Sequence, residues 1–217
     1  MNSFSDLKAT HRAVRENLNS ELSIRIHRSL SWLGQAETQK EDLDASFIFY
    51  WIAFNAAYAG NFDDAEHYSE SSAFSHFFQR IVKNDSQNRV YSLIWERFPH
   101  EINGVLRNEY IFSSFWKEND FINDLDWKAS FEASIVKVNH ALKNQDTIVI
   151  LSILFSRIYV LRNQIFHGGA TWNSSVNRTQ VKDCTKLLAN LVPILIKIMM
   201  ASPEENWGTL NYPLKEK

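Results

Sequence analysis

The sequence predicts an all-α fold, a bundle of antiparallel helices around one core, with an irregular helical insertion over residues 84–123. Three observations predict it. Six glycines and four prolines in 217 residues are too few for the tight turns of an all-β protein. The run "FIFYWIAFNAAY" from Phe47 to Tyr58 is apolar on all sides of a helical wheel apart from Asn55, as a buried helix is. Towards the other end, Val181, Cys184, Leu188, Leu191, Leu195 and Ile198 recur at steps of three and four residues, the period of a helix with one apolar face.

The elements follow in order. Ser5 to Ala36 is charged and helix-prone and reads as one helix, with Gly34 as its stop. The stretch "EDLDASFIFYWIAFNAAYAG" is polar for five residues and then apolar to Tyr58, with Gly60-Asn61 as terminator. Asp63 to Lys83 is the next helix, its apolar face supplied by "AFSHFFQRIV". From Asn84 to Asn123, Pro99, Gly104 and several aromatics break the chain into short helices. Asp124 to Asn144 and Thr147 to His167 form two more, joined by a turn at Asn144-Gln145-Asp146. The last runs from Arg178 to Ala201, is kinked at Pro193 and ends at Ser202-Pro203. With no repeat, low-complexity tract or linker, residues 1–201 read as a single helical domain. Residues 202–217 read as an irregular C-terminal tail that Trp207 and Tyr212 tack onto the body.

Composition narrows the function. The chain has 23 basic and 25 acidic residues and a formal charge of −2, so no global field recruits nucleic acid and any RNA contact needs a local groove. A single cysteine, Cys184, excludes an internal disulfide framework and suits a reducing cytoplasm. The N-terminal residues lack the apolar run of a secretory signal. Ile148 to Leu161 and Leu187 to Met200 are strongly apolar. Each falls short of a membrane span of roughly 18 to 20 residues and carries a charge, Arg157 or Lys197, so both read as core and no membrane is expected as a partner.

One short stretch concentrates chemistry. In "LRNQIFHGGATW", from Leu161 to Trp172, an Arg, an Asn and a His fall at the end of an apolar helix, just before two glycines. On a helical wheel Leu151, Leu154, Ile158, Leu161 and Ile165 make the core face. Ser152, Ser156, Tyr159, Asn163 and His167 line the other side, flanked by Arg162 and Phe166. Gly168-Gly169 lets the chain leave in a left-handed conformation without covering the helix end. Arg holds phosphate by two parallel hydrogen bonds, His moves protons near neutral pH, and Asn can orient either. Ordinary trimming of a helix C-terminus by basic residues and glycine yields the same letters, so the spacing alone does not separate the two readings.

Arg162, Asn163 and His167, with four residues between Arg and His late in a long helix, resemble the signature of the HEPN superfamily, small all-α proteins that include ribonucleases. The Trp51–Phe54–Asn55 run and the extension "GGATWNSSVNR" are similar to a bacterial HEPN group. The resemblance is specific over Phe47 to Gly60 and Leu161 to Arg178; elsewhere it rests on helix content, and residues 84–123 would be an insertion. It implies a metal-independent endoribonuclease without cofactor, whose site is composed from two copies of the motif across a homodimer. Arg162, Asn163 and His167 would be catalytic, with Asn55 and Tyr159 in support. One His cannot easily be both base and acid at opposite ends of an in-line displacement, but two from two subunits can. The resemblance also implies an RNA substrate, a partner such as an antitoxin protein, and a toxin–antitoxin, stress or antiviral defence setting. A non-catalytic HEPN dimer that binds RNA, a nucleotide or a partner protein through the same cleft stays open as the alternative. So does a scaffold in which Arg162 and His167 merely pair at an interface.

Other residues read as structure. "DDAEHY" at Asp63 to Tyr68 is the nearest approach to a metal site and reads better as a solvated helix start. Ser152 and Ser156 lack a nucleophile's context and read as packing hydroxyls. Cys184 falls on an apolar helix face and reads as core. Lys8, Arg12, Arg15, Arg25 and Arg28, interspersed with Glu16 and Glu21, read as a solvated face first and an RNA-tracking groove second. The seven tryptophans and 15 phenylalanines read as core more than as stacking platforms.

Overall fold

The computed structural model describes residues 3–60, 70–116 and 124–213. Among them there are helices, turns and no strand: α1 (Phe4–Val14), α2 (Ser20–Thr38), α3 (Leu43–Tyr58), α4 (Glu70–Asn84), α5 (Arg89–Ser92), α6 (Pro99–Leu106), α7 (Asp124–Lys143), α8 (Thr147–Phe166) and α9 (Arg178–Ala201). The protein is all-α.

Side-chain caps set the boundaries. Ser3 and Asp6 form a reciprocal capping box at the start of α1, and Asn19, Asp42 and Asp146 each accept the backbone N–H three residues on, opening α2, α3 and α8. Asn19 corrects the expectation of one long N-terminal helix. Its carboxamide caps Leu22 at 2.8 Å while its backbone is extended, so the chain breaks after the short turn Arg15–Asn17 and restarts. Gly34 does not stop α2, which continues to Thr38; a Cβ there would meet the Phe4 ring at 3.0 Å, so the glycine admits α1. The helix expected from Asp63 is described only from Glu70. Between α4 and α7 the chain is as broken as expected, with α5, a five-residue π turn at Leu93–Arg97, α6 and two 3-10 turns.

α3 packs along α2 and rests on α9, while α4 runs against α8. Phe54 sits at the centre, its ring 4.3 Å from Phe155 and within 6.4 Å of Phe74, Phe77 and Phe78. One continuous buried cluster runs from Leu7 to Trp207, and Cys184 lies inside it, its thiol pushed up by burial. α8 and α9, at 20 and 24 residues, are long and apolar enough to cross a membrane by length and composition, which corrects the shorter apolar runs read from the sequence. Within the bundle 50% and 67% of those windows are buried.

Arg25 departs furthest from its expected solvated face. It is fully buried and donates to four backbone carbonyls, those of Ala57, Ala59, Gly208 and Thr209. Burial lowers its pKa to about 10, so it stays charged at neutral pH. Gly60 is required beside it, since a Cβ would meet Arg25 Nη2 at 2.8 Å. This guanidinium, with buried Trp207 and Leu210, ties residues 202–213 to the body; Tyr212 contributes only its backbone carbonyl, to Arg28.

Candidate functional site

α8 ends at Phe166 in a Schellman motif. The N–H of Gly168 donates to the Ile165 carbonyl and that of Gly169 to the Gln164 carbonyl, at 3.2 and 2.7 Å. Only Gly168 is left-handed, at φ 69°; Gly169 is needed because a Cβ would meet the Gln164 carbonyl at 3.1 Å. His167 occupies the C-cap, with its backbone N–H on the Asn163 carbonyl at 3.0 Å and its side chain exposed. The helix face behind is core, with Leu151, Leu154, Ile158 and Leu161 at most 1% exposed and Ile165 half-buried.

Arg162 is held from three sides. Its Nη1 donates to Asn163 Oδ1 at 2.8 Å, and its guanidinium carbon lies 4.3 Å from the Phe166 ring centroid and 5.9 Å from that of Tyr159. Tyr159 in turn packs on Trp51 of α3 at 6.0 Å. No carboxylate pairs with Arg162 among the described residues, and its Nε is buried without a partner. The result is a pre-oriented cation whose attraction for an anion is not spent on any carboxylate among the described residues. Ser152 and Ser156 donate to the carbonyls four residues back and belong to the helix.

The chain beyond Gly169 is pinned to the start of α3. Arg178 grips Asp44 with both nitrogens, Nη1 to Oδ2 and Nη2 to Oδ1, each at 2.8 Å. Asp44 Oδ2 also accepts the Asn173 backbone N–H, and Asp42 Oδ2 accepts the Trp172 indole N–H at 3.1 Å. The Asp42 carboxyl is held below its ordinary pKa, first by the Ala45 backbone N–H that it caps and also by Trp172. Three apolar side chains in or soon after the motif are exposed: Phe166, Trp172 and Val176.

Residues 110–116 close the other side. Gln164 Nε2 and Trp116 Nε1 both donate to the Tyr110 carbonyl, at 2.6 and 2.8 Å. Two adjoining clefts result, sharing Trp116 and Gln164. The smaller, of about 300 Å³, is lined by Asn163 and Val160; the larger, of about 560 Å³, lies between Tyr110 and Trp116 on one side and the Gly169–Asn177 segment on the other.

Of the residues picked from sequence, the structure brings Tyr159, Arg162 and Asn163 into contact and sets His167 one turn beyond Asn163. Asn163 orients the Arg162 guanidinium; no hydrogen bond joins it to the His167 ring among the described residues. Asn55 is elsewhere. It is exposed rather than buried, and it faces a separate groove with Arg28, Trp32 and Tyr212. Asp42, Asp44, Arg178, Gln164, Tyr110 and Trp116 were missed, because their links to the motif join parts of the chain far apart in sequence. No trio of His, Cys, Asp or Glu forms a metal site among the described residues, and the Asp63–Tyr68 stretch lies outside them. Comparison with protein-family models, curated proteins and solved structures finds no match.

Proposed function

We propose that the chain is a HEPN-type, metal-independent endoribonuclease whose active site is completed by a second copy of itself. The observation that carries this reading is the end of α8: a guanidinium with no carboxylate partner among the described residues, fixed by Asn163 and Phe166, with an exposed imidazole one turn on. Arg162 holds a phosphodiester oxygen by its remaining N–H groups and stabilises the charge that builds on the phosphorane. His167 of one protomer takes the proton of the 2′-hydroxyl as its oxygen forms a bond to phosphorus. The partner subunit's His167, protonated, gives a proton to the 5′-oxygen as the P–O5′ bond breaks. The products are a 2′,3′-cyclic phosphate and a 5′-hydroxyl. The exposed Phe166, Trp172 and Val176 in or soon after the motif suit a symmetric interface that sets two such sites face to face.

The HEPN-like architecture and the toxin–antitoxin, stress or antiviral setting with a possible antitoxin rest on the sequence resemblance; the cytoplasmic location and the absence of a membrane partner rest on the single cysteine, the N-terminal composition and the charged apolar runs. The test is labelled single-stranded RNA in excess EDTA with end-group analysis. Cyclic phosphate ends from RNA, and intact DNA of the same sequence, are expected. Cleavage that needs a divalent metal, or leaves 5′-phosphate ends, overturns the mechanism.

A further inference from the structure

We infer that the 560 Å³ cleft between residues 110–116 and the Gly169–Asn177 segment is a nucleobase subsite that selects the bases with an amine at the 6-position of a purine or the 4-position of a pyrimidine, adenine and cytosine, over uracil. The choice of occupant rests on the ribonuclease reading; the recognition chemistry comes from the cleft. Its volume falls in the ordinary range for small-ligand sites, about 300–1,000 Å³. No charged residue among the described ones lines it, so the described lining does not suit phosphate, although it adjoins the Asn163 cleft through Gln164 and Trp116. Its outer wall is aromatic. Tyr110 and Trp116 are each about half exposed, and their mutual hydrogen bond and edge contacts with Phe115 hold them in place. Such rings stack any base.

The inner wall supplies the selection. Asn177 is 8% exposed, lines the cleft, and has a buried Oδ1 without a hydrogen-bond partner. A buried acceptor left unmade is costly, and a ligand donor relieves that cost. Gln164 offers a second acceptor. Its Nε2 is committed to the Tyr110 carbonyl, which leaves Oε1 for a ligand. Two acceptors and no charge match the two N–H of the amino group of adenine or cytosine; uracil presents a carbonyl at the corresponding position and has a single N–H, at N3, so it leaves one acceptor unsatisfied.

The experiment is titration of the full chain with adenosine, cytidine and uridine, followed by tryptophan fluorescence and calorimetry. Adenosine and cytidine should bind at least about fivefold more tightly than uridine, one lost hydrogen bond being worth about 1 kcal/mol. Trp116→Ala should weaken all three by about tenfold, and Asn177→Ala should bring uridine level with cytidine. Asn177 caps no helix N–H through its side chain, so this substitution leaves α9 its first turn; if it nonetheless fails to fold, Asn177→Ser serves in its place. Equal binding of cytidine and uridine by the parent, or discrimination that survives at Asn177, overturns the subsite. Nucleoside binding needs no cleavage, so the two proposals fail separately. Selective binding without RNA cleavage removes the ribonuclease and keeps the subsite, whereas cleavage without base selection does the reverse.

Discussion

Arg178, in the first turn of α9, closes both of its Nη atoms on both carboxylate oxygens of Asp44, in the first turn of α3, at 2.8 Å each. Asp44 is buried and the Arg178 side chain is 26% exposed, so the pair is only partly screened. With Asp42 holding Trp172, it fixes the segment that follows the motif helix against a part of the chain some 130 residues earlier. One wall of both the motif surroundings and the larger cleft therefore depends on α3.

Arg178→Met should cost about 2 kcal/mol, between an exposed ion pair and a fully buried one, because it strands the Asp44 carboxylate. Chemical denaturation gives the cost directly. The same variant should lower RNA cleavage by less than loss of His167 does, since it loosens a wall and removes no reacting group. Unchanged stability would show that the bidentate contact contributes nothing in solution.

The motif residues should separate by role. His167→Ala should cut cleavage by at least about a hundredfold, as loss of a proton-transfer group does, with folding and RNA affinity nearly intact because its side chain is exposed. Arg162→Ala should weaken both binding and cleavage, and Arg162→Lys should recover only part, since an ammonium cannot make the planar fork or stack on Phe166. Asn163→Ala should resemble a mild Arg162 defect, because its carboxamide orients that guanidinium. Cleavage kinetics and filter binding check the series. If His167→Ala cleaves RNA like the parent, the non-catalytic binding reading takes over.

Much of this was legible in sequence for local reasons. Helical periods and the double glycine are written within a few residues of where they act, so α3, α7, α8 and α9 could be placed, whereas the Asn19 cap that splits the first helix was missed. Arg162, Asn163 and His167 fall together because one helix carries them. The misses are long-range. Arg25 looked like one charge on a solvated stripe, yet its partners are carbonyls from the end of α3 and from Gly208 and Thr209, which no periodicity announces. Asn55 was the one polar residue in an apolar helix. Whether it faced the core or a groove depended on how far the tail at Leu210 to Tyr212 covers α3.

Arg25→Met should be among the most damaging single substitutions away from the motif. It removes a shared donor from four backbone carbonyls, of which the bond to Ala57 is fully buried, and a buried carbonyl left unmet costs about 1–3 kcal/mol. The expected result is a fall in thermal midpoint together with earlier proteolysis of the 202–213 segment. An unchanged digestion pattern would mean that Arg25 does not hold the tail.

Acid should loosen the Trp172 anchor. The Asp42 carboxyl is depressed in the folded state, so its contribution is present above the unfolded pKa and is lost as pH falls through the lower folded value. Glu101 and Glu205, depressed by hydrogen bonds to Lys186 and to Asn84 and Lys83, act in the same direction. Stability should begin to fall as pH drops below about 6.5, where His11, held below its ordinary value first by burial, resists the proton that the unfolded chain takes up, and fall further below about pH 4 as the carboxylates are protonated. Asp42→Asn keeps a good N-cap but removes one titrating group, so its acid limb should be shallower than the parent's. Identical acid limbs in denaturation measured across this range would refute the assignment.

The composite site makes a prediction that no single-chain mechanism shares. Pure His167→Ala dimers hold no imidazole, and pure Arg162→Ala dimers hold no clamping guanidinium. A mixed dimer holds one intact copy of each in the same shared cleft. Co-expressed, differently tagged chains isolated by tandem purification should therefore regain activity that neither pure variant shows, at a level below the parent because one of two imidazoles is still missing. The recovery should vanish on dilution below the dimer dissociation range and return on concentration, which light scattering can follow in the same samples. If each site lies wholly within one chain, every protomer of the mixed dimer is defective, and no mixture should exceed the sum of its parts.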